Sequence, residues 1–86
     1  MTTWRTKLAY AMKSSDDPGP VIAYAPDDAE TFDVEFDNSW GSPNGPPMLA
    51  WTERNVYFPA CYDGSEWMAA APRNPQPEGQ YHVGGE

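Results

Sequence analysis

A chain of 86 residues has room for one small domain with a modest core and none for a second. An apolar share of 40% with 14% aromatic residues excludes a disordered chain, while ten prolines and seven glycines imply long irregular connections. Thirteen acidic against five basic side chains give a net charge of -8, which repels nucleic acid and anionic membranes and attracts basic partners.

The first segment reads as a helix. Thr2 or Thr3 can cap it, and Trp4, Leu8, Ala11 and Met12 recur at helical spacing as one apolar stripe, with Arg5, Lys7 and Lys13 off the stripe. It lacks the continuous apolar block of a signal peptide, and no run in the chain is long enough to span a bilayer. The stretch "SSDDPGP", residues 14–20, must break this helix, and "VIAYA" after it is a short extended stretch.

"PDDAETFDVEFD", residues 26–37, carries Asp27, Asp28, Glu30, Asp33, Glu35 and Asp37 without a lysine or arginine. With period two, Phe32, Val34 and Phe36 face inward as a half-buried strand. With the helical period, Ala29, Phe32 and Phe36 share a face, Asp27 and Glu30 stand at the capping-box spacing, and only Val34 is misplaced. The helical reading is preferred for its cap and its acid-rich first turn. Both readings send the aromatics in and the carboxylates out.

"NSWGSPNGPP", residues 38–47, is a loop by composition, with Trp40 as its expected anchor. "MLAWTE", "NVYFPACY" and "SEWMAAA" then read as a three-stranded antiparallel meander, with Asp63-Gly64 as a type I′ hairpin signal. A two-residue turn there sets Ala60 opposite Trp67, Phe58 opposite Ala69 and Val56 opposite Ala71. An Arg54-Asn55 turn sets Trp51 opposite Phe58 and Leu49 opposite Ala60. Both registers gather Leu49, Trp51, Val56, Phe58, Ala60, Trp67, Ala69 and Ala71 on one apolar face, the surface on which helices are expected to pack. Pro59 calls for a bulge or one-sided pairing, and the tail should be irregular, with Tyr81 and Val83 pinning it. The expected fold is α+β: a single domain over residues 1–86, with the N-terminal helix and a second short acidic helix on the meander.

Residues 1–13 hold three bases and no acid, and residues 14–53 hold nine acids and no base. An ordinary surface mixes both signs, so an uncompensated stretch bears a repulsive cost for which binding is one reason.

Catalytic signals are weak by contrast. Cys61 and His82 are the single thiol and imidazole, and the hairpin register sets Cys61 beside Glu66, whose charge opposes a reactive thiolate. One Cys and one His cannot build a structural zinc centre, "DNSWGSPNG" misses the rhythm of a calcium loop, and the glycine loops lack a phosphate-binding signature. The lone cysteine also excludes an internal disulfide, which favours a reducing cytosol. No enzyme, cofactor or metal site is expected. Fixed carboxylates about 5 to 7 Å apart can instead stand in for nucleic-acid phosphates before a basic groove.

The size, the acidity, the "MTTWRTKLAYAM" start, the "WTERNVYFPACYDGSEW" meander and the "PRNP" and "HVGGE" ends resemble small phage and mobile-element proteins, in particular anti-CRISPR proteins of the type I-C inhibitor group. The resemblance implies a cytoplasmic inhibitor in a bacterial host. It would be a monomer that occupies a basic DNA-binding surface on the large subunit of the CRISPR surveillance complex and blocks target DNA. The residues expected to bind that partner are Asp27, Asp28, Glu30, Asp33, Glu35 and Asp37, with Asp16 and Asp17 as secondary contributors. The alternative is a small phage adaptor or regulatory protein binding through exposed aromatics such as Tyr57, Tyr62 or Tyr24.

Overall fold

A computed structural model describes residues 1–37, 44–62 and 65–83. The domain is α+β, in the order α1 (Trp4–Ser14), β1 (Ala23–Ala25), α2 (Ala29–Phe32), β2 (Leu49–Trp51), β3 (Asn55–Tyr62) and β4 (Ser65–Pro72). Among the described residues the strands form one antiparallel sheet in the order β1-β2-β3-β4, so "VIAYA" adds a fourth strand to the expected meander.

Helix α1 starts where the Thr3 hydroxyl accepts a hydrogen bond from the Thr6 N–H at 3.2 Å, and it buries Trp4 and Leu8. It ends on a Schellman arrangement: the Asp17 N–H donates to the Met12 carbonyl at 2.9 Å and the Asp16 N–H to the Lys13 carbonyl at 3.2 Å. Asp16 takes the left-handed position usually given to glycine, with φ 54°, a conformation that Asp tolerates better than most residues. This turn aims the Asp17 side chain back into the molecule.

The acidic segment is half of each reading. Asp28, rather than the expected Asp27, caps the four-residue α2 by accepting from the Glu30 N–H at 3.0 Å. Phe36 then lies in an extended bridge to Thr2, each N–H donating to the other carbonyl at 2.9 Å. Phe32 and Phe36 are both buried, while Val34 is exposed.

The β3–β4 register matches the expectation at Ala60–Trp67, Phe58–Ala69 and Val56–Ala71 and runs unbroken from Asn55–Pro72 to Tyr62–Ser65. The Asp63-Gly64 turn itself and the Trp40 anchor fall outside the described residues. Pro59 sits in this ladder without a bulge; β2 stops short of it, so it pairs with β4 alone, as a residue lacking an N–H requires.

Three expectations are corrected. The β2–β3 register is Trp51–Val56 and Ala50–Tyr57, two residues away from the Arg54-Asn55 hairpin. The reason is Thr52: its hydroxyl accepts from the N–H groups of Arg54 and Asn55 at 3.2 and 3.0 Å and its N–H donates to the Asn55 carbonyl at 3.0 Å, which closes the turn around Glu53-Arg54, one residue earlier. Second, the helices cover the other face of the sheet. The core joins Trp4, Leu8, Phe32 and Phe36 to Met48, Ala50, Tyr57 and Met68, and leaves the Leu49/Trp51/Phe58/Trp67 side outward. The inward face carries Tyr57 and Glu66, and both find partners inside. Glu66 is 2% exposed, and its two oxygens accept from the Asn44 and Gly45 N–H groups at 2.9 Å each. Third, Tyr81 is 92% exposed and Val83 40%, so neither pins the tail.

Gly45 is required where this loop meets the core. A Cβ there would stand 2.7 Å from Trp4 Cε2 and 2.9 Å from Phe36 Cζ, both atoms of buried rings. The contact also seats the Trp4 Nε1–H on the Pro46 carbonyl at 2.7 Å. Gly45→Ala is therefore expected to destabilise by about 1–3 kcal/mol through overpacking, read as a drop in melting temperature in thermal denaturation.

Candidate binding face

The acidic segment lies against the N-terminal end of α1. Phe32 packs edge-on to Tyr24 of β1 with ring centroids 4.8 Å apart, and Phe36 packs on Trp4 at 4.7 Å. With these rings as roots, Asp27, Asp28, Glu30, Asp33, Glu35 and Asp37 are all exposed. The two halves of the expectation, aromatics in and carboxylates out, hold at these eight positions.

The base-free stretch of sequence is not base-free in space. Arg5, the second residue of α1, reaches across to Asp33: its Nε donates to Oδ1 at 2.7 Å and an Nη to Oδ2 at 3.2 Å, a bidentate pair on the surface. The guanidinium also lies 5.6 Å from the Phe32 ring centroid. Hydrogen bonding and charge from Arg5 hold the Asp33 carboxyl below its ordinary value, and the same contacts from Asp33 raise Arg5. Both groups are more than half exposed, so the pair orients the segment more than it stabilises the fold. Helix position alone could have flagged Arg5, since it lies off the apolar stripe on the first turn.

Asp16 and Asp17 do not join this face. They follow the C-terminal end of α1, whose eleven residues put about 16 Å between that end and the Arg5 end. Asp16 is exposed beside Lys13, and its carbonyl accepts from Arg54 at 3.3 Å. Asp17, expected at the surface, is only 8% exposed. Its Oδ2 accepts from the Thr52 hydroxyl at 2.6 Å, the Tyr57 hydroxyl at 2.7 Å and the Asn55 amide at 3.1 Å; its Oδ1 accepts from the Gly19 N–H at 2.9 Å. Burial opposes the charge, but these four donors together outweigh it and hold the carboxyl well below the usual carboxylate range. Burial and the hydrogen bond to Asp17 push the Tyr57 hydroxyl up from its ordinary value. Asp17 thus works as a latch between the α1 turn and the β2–β3 turn, and the sequence signal for it is Asp-Pro-Gly facing Thr-x-x-Asn.

The candidates for chemistry stay apart. Cys61 is half-buried and pairs with Glu66 as the register implied, beside a shallow cleft lined by Gly45, Pro47, Met48 and Pro59. His82 is in the exposed tail and does not line that cleft. A second groove, between α1 and β4, is lined by Lys7, Tyr10, Ser14, Ser15 and apolar neighbours, without a carboxylate, thiol or imidazole. Among the described residues no group of three or more His, Cys, Asp or Glu is placed to hold a metal ion, and no helix is long and apolar enough to cross a membrane. Of the aromatics considered for docking, Tyr57 is fully buried and Tyr24 half-buried against Phe32, which leaves Tyr62, 54% exposed.

Comparison with protein-family models, curated proteins and solved structures finds no match.

Proposed function

We propose that this protein is a non-enzymatic inhibitor that mimics DNA: its acidic segment occupies a basic DNA-binding surface of a type I CRISPR surveillance complex, on the large subunit, and blocks target DNA. The observation that carries the proposal is the exposure of Asp27, Asp28, Glu30, Asp33, Glu35 and Asp37 along one segment anchored by two buried rings. A fixed row of carboxylates keeps its spacing on binding, so less ordering cost opposes association than for a flexible acidic tail. A net charge of -8 adds long-range steering toward a basic groove.

Arg5 refines the row by neutralising Asp33 locally. Asp27, Glu30 and Glu35 are therefore the carboxylates assigned to the partner first, with Asp28 divided between its capping bond and the surface. The Asp16 corner, next to Lys13 and Arg54, contributes to the general field only. The adaptor reading retains Tyr62 as its anchor, without the support of Tyr57 or Tyr24.

Affinity for a purified type I-C surveillance complex, titrated over a salt series, tests this. Mimicry predicts binding that weakens by tenfold or more between low and moderate salt, on the order of what screening of several exposed charge pairs gives. Binding indifferent to salt but abolished by Tyr62→Ala would support the adaptor instead.

A further inference from the structure

We infer that the open edge of β4, beside α1, binds an extended acidic peptide by strand addition. The ladder fixes which backbone groups are open. Pro59 and Pro72 have no N–H, and both fall at positions of the β3–β4 ladder that do not exchange hydrogen bonds; the Arg73 N–H donates to the Arg54 carbonyl at 2.9 Å and sets the same phase. Ser65, Trp67, Ala69 and Ala71 therefore turn their N–H and C=O groups to β3. Glu66, Met68 and Ala70 turn theirs away from the sheet, followed by the Pro72 carbonyl. β4 is the last strand of the sheet, and among the described residues none bonds to these outward groups. Edge strands are ordinarily blunted by charge, proline, a bulge or shortness. β4 runs for eight residues without a bulge, its proline is the last of them, and its one charged side chain, Glu66, is buried on the Asn44 and Gly45 N–H groups.

A groove follows this edge, with Trp67, Met68 and Ala70 on the strand side and Lys7, Tyr10 and Ser14 on the helix side. Met68 is 3% exposed, so its outward N–H and C=O lie in the groove rather than in bulk water, where a backbone group is normally paired. Groups that recur at every second residue, about 6.8 Å apart, are matched by another extended backbone and not by a helix. The stretch from Met68 to Pro72 is about 17 Å long and takes a peptide of about five residues. Charge selects its side chains. Lys7 is half-buried in the groove wall and, unlike Arg5, has no carboxylate partner among the described residues, and no acid lines the groove. On a chain of net charge -8 this is a local positive site, so an acidic side chain is accepted here and repelled elsewhere. No residue of the acidic row lines the groove, and the inference stands whether or not that row mimics DNA.

Selection from a display library of random dodecapeptides, followed by amide hydrogen exchange on the complex with the best binder, tests the inference. The expected binders carry an acidic residue within an alternating, β-branched stretch. Bound peptide should slow exchange at Met68 and Ala70 by about tenfold or more and leave Trp67 and Ala69, already bonded to β3, unchanged. N-methylation of alternate peptide amides should lower affinity by about tenfold or more. Lys7→Glu should turn the selected preference from acidic to basic side chains with an unchanged circular dichroism spectrum; the exchange pattern needs no variant and decides the matter should this one fail to fold. A library without binders, binders indifferent to N-methylation, protection at Trp67 and Ala69 instead, or an acidic preference retained by folded Lys7→Glu would overturn the inference. So would protection of Met68 and Ala70 that rises with protein concentration in the absence of peptide, which would assign the edge to a second copy.

Discussion

Replacing Asp17 with asparagine is expected to cost about 3–5 kcal/mol, because three side-chain donors and one N–H converge on this carboxylate and an amide cannot accept from all of them. The Thr52 and Tyr57 side chains are fully buried, so donors left without a partner there have no access to water. A domain of this size has a total stability of about 4–13 kcal/mol, which puts the variant near unfolding, with a melting temperature lower by tens of degrees. Asp16→Asn, next door but exposed and in a left-handed conformation that Asn also tolerates, should change stability by about 0.5 kcal/mol or less. Urea denaturation of the pair checks this difference, and equal stabilities would remove the latch.

The same network sets a pH dependence. The Asp17 carboxyl is depressed in the folded state, so its contribution is present above the unfolded value of about 4 and is lost as pH falls below that toward the folded value. Tyr57 has the opposite sign. Its hydroxyl is raised, so its contribution is complete below the unfolded value of about 10 and is lost as pH rises through the folded value. Stability should therefore fall at both ends, and the acid limb should be shallower in Asp17→Asn.

Reversing Asp27, Glu30 and Glu35 together to lysine is expected to lower affinity for the surveillance complex by about 100-fold or more, since close charge pairs at interfaces couple by about 1.5 kcal/mol or above. The reversal moves the net charge from -8 to -2, as three sites each change by two. The fold should be retained, because these side chains are exposed and the rooting rings Phe32 and Phe36 are untouched. Glu53 and Glu78, exposed but outside the segment, give the control: their reversal to lysine should weaken binding only a few-fold through the general field. Asp33 is left out of the set because a lysine there would face Arg5 and disturb the orientation of the segment. Equal losses for the two sets would mean that net charge, not this row, governs binding.

What the sequence made legible follows from which signals are local. The helix α1, its Thr3 cap and the β3–β4 register depend on neighbours in the chain and on a two-residue spacing, and these stand in the fold as read. The burial of Phe32 and Phe36 was robust because helix and strand periods agreed on it. The choice of sheet face was not local. Period-two patterning counts polar atoms but cannot see that Tyr57 and Glu66 are satisfied by Asp17 and by the loop at Asn44 and Gly45. The more apolar side was therefore taken for the core. The burial of Asp17 fails for the same reason, since it depends on Thr52, 35 residues away, whereas the turn at Thr52 rests on local bonds to Arg54 and Asn55 that hydrophobic patterning does not register. In the candidate face the carboxylates and the surface position of Arg5 were legible, but the pairing of Arg5 with Asp33 was not, because α1 and the acidic segment meet only in the folded chain.

The most direct measurement is competition between this protein and labelled target duplex for a purified type I-C surveillance complex at low salt. Mimicry predicts that the protein displaces the duplex to completion, that excess duplex displaces the protein in return, and that the Asp27/Glu30/Glu35 reversal abolishes both. A ternary complex, with duplex retained at saturating protein, would contradict it.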